Sequence, residues 1–185
     1  LANVNGTLFF FVDDGVHGVE LWKSDGTAAG TVLVKDINPG TGSTLLSNFT
    51  PTGAALGGTF LFTAFDPVNG VELWKSDGTE VGTVLVKDIR PGNDSFPAML
   101  TAVNGTVFFV ANDGVNGLEL WKSDGTTAGT VLVRNINPAF GPHILELVAV
   151  NDTLFFTASN GNGIELWKSD GTFDGTVQVI DLNGL

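Results

Sequence analysis

The chain has 185 residues, 43% hydrophobic and 15% charged, with 25 glycines, 14 phenylalanines, no cysteine and no tyrosine. This is a globular composition long enough to bury a core, and its net charge of −12 with only eight Lys and Arg argues against nucleic acid or an anionic membrane surface as partner, because both are read by clustered basic residues. Without cysteine there is neither a disulfide framework nor a thiolate metal site, and no apolar run approaches the roughly 20 residues of a spanning helix, so membrane insertion is not expected. The chain begins at Leu1, shows no signal peptide, and reads as a processed product or an excised piece of a longer protein.

In chain order, Leu1-Ala2-Asn3-Val4 reads as a short strand turning at Asn5-Gly6, a dipeptide suited to the positive φ of a type I′ hairpin. Leu8-Phe9-Phe10-Phe11-Val12 is a second strand, and a turn at Asp13 to Gly18 leads into Glu20-Leu21-Trp22-Lys23-Ser24-Asp25-Gly26-Thr27, followed by Gly30-Thr31. Those eight residues return unchanged as 72–79, 119–126 and 165–172, each with its Gly-Thr. The tryptophans stand at 22, 74, 121 and 167, in steps of 52, 47 and 46 residues. A period of this size marks a repeat architecture.

The third repeat is the clearest. It predicts strands over 98–103, 106–111, 118–123 and 130–136, with turns at Asn104-Gly105, Asp113 to Gly117 and Asp124 to Gly129. Asn137-Pro138 ends the last strand, because proline cannot donate to a ladder. The second repeat starts near Leu45 and carries about five extra residues around Pro51 to Gly58. The fourth starts near Ile144, turns at Asn151-Asp152 and ends near Leu182. Repeat boundaries fall at about 1–38, 45–90, 96–137 and 144–183, within one domain of 1–185.

The second strands are apolar on both faces, as in Val107-Phe108-Phe109-Val110, so both sides of each sheet should be covered. A four-stranded meander of about 46 residues matches a propeller blade. The expected fold is all-β: a β-propeller of four blades with four antiparallel strands each. One chain supplies enough blades for the smallest ring, and an acidic surface disfavours self-association. The expectation is therefore a closed monomer, with a homodimer or longer array as the alternative.

The recurring segment resembles the signature of the ELWxxDGT repeat family, bacterial surface or secreted proteins, over the whole chain. Its Ser-Asp-Gly-Thr turn also resembles, more loosely, the Asp-box of sialidase-like propellers. The resemblance implies propeller blades and an extracellular or surface location, and implies no activity.

The repeated residues carry structural expectations. Asp25-Gly26, Asp77-Gly78, Asp124-Gly125 and Asp170-Gly171 are expected to build the turns, with Asx side chains bonding backbone N–H groups. Trp22, Trp74, Trp121 and Trp167 are expected between blades rather than stacked on sugars. Glu20, Glu72, Glu119 and Glu165 are expected to pair across blades with Lys23, Lys75, Lys122 and Lys168. Asp13-Asp14 and Asp113 offer oxygen ligands for calcium, but without an EF-hand pattern and without carboxylates in the matching turn 160–163, so no cofactor is expected. Asn5, Asn48, Asn93, Asn104 and Asn151 begin glycosylation sequons, three of them in hairpin turns.

Arg90 and Arg134 stand alone and tyrosine is absent, so the arginine cluster and tyrosine nucleophile of a sialidase are missing. His17 and His143 fall in unrelated positions and suggest no catalytic triad. The expected function is a non-catalytic structural or interaction module. The alternatives are a lectin-like carbohydrate-binding propeller and, with less support, a sialidase-like glycoside hydrolase.

Overall fold

The structure, a computed structural model, describes residues 1–45, 52–137 and 143–182. The described residues form four sheets of four antiparallel strands and no helix. Blade 1 comprises β1 (Ala2–Val4), β2 (Thr7–Asp13), β3 (Val19–Ser24) and β4 (Val32–Lys35). Blade 2 comprises β5 (Gly53–Leu56), β6 (Thr59–Asp66), β7 (Gly70–Ser76) and β8 (Val84–Lys87). Blade 3 comprises β9 (Ala98–Val103), β10 (Thr106–Asn112), β11 (Leu118–Ser123) and β12 (Val131–Arg134). Blade 4 comprises β13 (Leu147–Val150), β14 (Thr153–Ser159), β15 (Ile164–Ser169) and β16 (Val177–Gln178). In every blade the spatial order follows the chain, so each is a meander.

The first hairpins turn where Asn-Gly chemistry places them. Asn5 and Gly6 have φ of 51° and 83°, and Asn104 and Gly105 have 44° and 74°, the pair of positive values that a type I′ turn needs. One boundary differs from expectation. The second blade opens at Gly53 rather than near Leu45, and Gly57-Gly58 is its ordinary hairpin turn. The extra residues of that repeat therefore belong to the connection between β4 and β5, of which 46–51, including the Asn48 sequon, lie outside the described residues, as does Pro138.

Each blade has two different faces. One carries the tryptophan of its third strand and alternate residues of its second, such as Phe60, Phe62, Ala64 and Trp74 in blade 2. The other carries the leucine beside that tryptophan, such as Leu21, with Phe9, Val34 and Ile37 in blade 1. The tryptophan face of blades 2, 3 and 4 packs on the leucine face of the blade before. Three buried clusters result, joining blades 1 and 2, 2 and 3, and 3 and 4. Apolar residues on both faces of the second strand are thus explained by burial between successive blades.

The expected closure of blade 4 onto blade 1 is not what the structure shows. Among the described residues no apolar cluster joins those two blades, and no strand of one packs extensively against the other. A far-ultraviolet circular dichroism spectrum should show strand and turn with under a tenth of helix, and a strong helical signal would contradict this fold.

Candidate functional site

The invariant segment builds one turn four times. In blade 3, Asp124 Oδ1 accepts from the Thr126 N–H at 2.8 Å and from its hydroxyl at 2.7 Å. Thr126 Oγ1 accepts from Gly129 N–H, and Thr130 Oγ1 donates to the Thr126 carbonyl. Ser123 Oγ accepts from Gly125 N–H and bonds Thr130 Oγ1. The same bonds recur at Asp25, Asp77 and Asp170. Gly26, Gly78, Gly125 and Gly171 have φ between 85° and 91°, which L side chains rarely adopt. A Cβ on Gly30, Gly82, Gly129 or Gly175 would collide with the aspartate carboxyl, so the turn requires both glycines of the segment.

Hydrogen bonds from the following threonine hydroxyl, and then from its N–H, hold these four carboxyls below the usual aspartate range. In each, Oδ1 is engaged within the turn. Asp124→Ala should therefore cost about 0.5–2 kcal/mol, as loss of a helix cap does. Urea titration of the variant measures this, and unchanged stability would contradict the structural role.

The glutamates and lysines do not pair with each other, contrary to expectation. Glu20 accepts from the N–H groups of Ile37 and Asn38 at 3.0 and 3.2 Å, at the end of its own blade's last strand. Glu72 holds Ile89 N–H and the Ser95 N–H and hydroxyl, Glu119 holds Ile136 N–H, and Glu165 holds Leu182 N–H. Burial pushes Glu20, Glu72 and Glu119 up to about 7, against the opposing effect of those donors. The lysines instead cross between blades. Lys23, Lys75 and Lys122 donate to the carbonyls of Gly78, Gly125 and Gly171 in the next blade, at 2.6–2.8 Å. Lys35, Lys87 and Arg134 similarly donate to the carbonyls of Thr83, Thr130 and Thr176. The repetition of both lysine and glycine in every copy was the available signal for the first set.

Trp74, Trp121 and Trp167 are buried between blades, as expected, whereas Trp22 on the uncovered face of blade 1 is half-buried. None of the four indole N–H groups has a hydrogen-bond partner, so these rings act as apolar surface.

The first strands converge on a cavity of about 510 Å³. Ala2, Gly53, Thr101 and Leu147 bring all four blades to it, and Phe9, Phe11 and Phe60 give it an aromatic wall. Its polar groups include Thr52, Thr101 and Glu146, the single charged side chain among its described lining residues.

The aspartates of the second turns are engaged locally. Asp13 Oδ1 accepts from Gly15 N–H, while Asp14 accepts from Val16 and His17 N–H and contacts the His17 ring at 2.8 Å. Asp113 accepts from Val115, Asn116 and the Asn116 amide. Among the described residues no group of three or more His, Asp and Glu side chains is placed to hold a metal, and no hydrogen bond joins a serine to either histidine. Arg134 binds carbonyls and lies 4.6 Å from the Phe173 ring, and Arg90 donates to the Asp94 carbonyl.

The fold and these sites define a propeller-like array of four blades. A solved structure similar to it is Pyrococcus horikoshii acylaminoacyl peptidase, at 17% identity and a TM-score of 0.57. The likeness covers 99% of this chain and 27% of that enzyme, and at this identity it concerns the fold alone. No family model matches the chain, and no curated protein matches it.

Proposed function

We propose that the chain is a non-catalytic structural or interaction module, built from ELWxxDGT-type blades, of a bacterial extracellular or surface protein. The location and family rest on the resemblance of the repeated segment. The observation that supports a non-catalytic role is the use of the repeated polar side chains inside the fold. The aspartates hold turns, the glutamates hold strand ends, and three of the four lysines join blades. Catalysis needs a reactive group beside a base or an oxyanion donor, and the described residues lining the central cavity include no Ser, Cys, His, Lys or Arg side chain beside Glu146. The likeness to a peptidase spans about a quarter of that enzyme and carries no activity across.

A lectin-like reading is the second candidate, supported by the aromatic wall beside two threonines and a carboxylate. The cavity is also within the size range of small-ligand pockets. Two measurements separate the readings. A panel of chromogenic peptides, esters and sialosides should show no turnover, and turnover abolished by Glu146→Gln would refute the non-catalytic reading. A glycan array tests the other, since selective binding lost in Phe11→Ala would establish the lectin.

A further inference from the structure

The three blade interfaces are one interface repeated. In each, the leucine face of a blade covers the tryptophan face of the next, and a lysine donates to a glycine carbonyl of the next blade's turn. The chain carries one further copy of each half, and neither is covered.

On blade 4 the leucine face is open. Leu166 is 37% exposed, whereas its equivalents Leu21, Leu73 and Leu120 are 0% exposed. Val179 is 45% exposed against 3–6% for Val34, Val86 and Val133, and Leu182 is 59% exposed against 5–8% for Ile37, Ile89 and Ile136. Lys168 is exposed and makes no hydrogen bond among the described residues.

On blade 1 the tryptophan face is open. Leu8 and Val12 are exposed, while Phe60 and Ala64, Val107 and Ala111, and Leu154 and Ala158 are buried at the same positions. The Gly26 turn has nothing within 4 Å of the place a Cβ would occupy. The matching glycines lie against the previous blade: Gly78 against Phe9 and Lys23, Gly125 against Leu61, and Gly171 against Phe108 and Lys122.

We propose that blade 4 of one copy docks on blade 1 of a second copy through this same interface, so that two copies close a ring of eight blades. The occupant is a second copy because this chain presents both complementary halves. Lys168 would donate to the partner's Gly26 carbonyl, and Leu166 would cover the partner's Leu8 and Trp22. A head-to-tail contact either closes or grows into a filament. Two copies bring the count to eight, at the upper end of the usual propeller range. The junction has one cation fewer than the internal ones, because Ile180 stands where Lys35, Lys87 and Arg134 donate to the next blade. Two chains of −12 repel each other, so added salt should strengthen the contact. The inference is independent of the module's ligand.

Light scattering and sedimentation equilibrium across a concentration series test it. The expected result is a species of twice 19.3 kDa favoured by salt. Leu166→Asp and Leu8→Asp each place a charge in both contacts of the ring and should weaken association about thirtyfold or more. Both positions are exposed in the single copy, and circular dichroism confirms that each variant folds. Mixing the two variants leaves one contact intact, between blade 4 of the Leu8→Asp copy and blade 1 of the Leu166→Asp copy. Two-copy species should therefore reappear in the mixture only. A wild-type chain that stays at 19.3 kDa would overturn the proposal, as would a Leu166→Asp variant that associates like wild type. Mass that grows without limit would overturn the closed ring.

Discussion

Replacing Trp121 by alanine should lower stability by about 3–5 kcal/mol, among the largest effects expected of a single change in this chain. The ring is 6% exposed and packs with Leu61, Leu73 and Val86 of blade 2. Its removal takes apolar contacts from both blades and leaves a cavity that two sheets, each held by its own ladder, cannot readily collapse to fill. Lys87, whose Nζ lies 5.9 Å from the ring centroid, loses its neighbour as well. For a domain of this size the melting temperature should fall by roughly 10 °C. Trp22→Ala is the internal control. The same residue in the same motif is half-buried at an uncovered face, so its removal should cost less in the single copy. Equal losses in the two variants, by urea titration at concentrations where light scattering shows a single copy, would contradict the open face of blade 1.

Stability should fall as pH rises from about 5 to about 8. Glu20, Glu72 and Glu119 are buried and pushed up to about 7 from an ordinary value of 4.5. Between those values the folded chain binds more protons than the unfolded chain, so unfolding releases protons and becomes easier at higher pH. Their contribution is fully present below about 4.5 and is lost as pH passes about 7. Each group adds a slope of up to about 1.4 kcal/mol per pH unit in that window. The turn aspartates act in the opposite sense, because their depressed values favour the fold above the ordinary aspartate range and that gain is lost on acidification. The melting temperature should therefore peak near pH 5. Glu72→Gln removes one titrating group. It also sets an amide NH2 where the carboxylate accepted a bond, so the variant should be less stable but show a shallower slope. An unchanged slope in Glu72→Gln, or a wild-type optimum above pH 7, would contradict this account.

The strands, hairpins and fourfold repetition were legible in the chain itself because they depend on local chemistry. Asn104-Gly105 specifies its turn through backbone φ, and the run 107–110 shows a strand needed on two faces. The Ser-Asp-Gly-Thr turn closes on itself within eight residues from Ser123 to Thr130, so its aspartate could be assigned without knowing any neighbour. The partners of Glu and Lys were not legible. Alternation along β3 shows that Glu20 and Lys23 have different surroundings, but opposite charge suggested a pair. Only the placement of strand ends against Glu20, and of the Gly78 carbonyl against Lys23, decided otherwise. Buried N–H groups need acceptors and a half-buried ammonium needs a carbonyl, and which ones lie within reach depends on how one sheet stacks on the next. Closure belongs to the same class. The segment that holds the repeated leucine is identical in every blade, so Leu21 and Leu166 have the same immediate neighbours in the motif. One is covered by blade 2 and the other is open, a difference set by the number of blades and the angle between them.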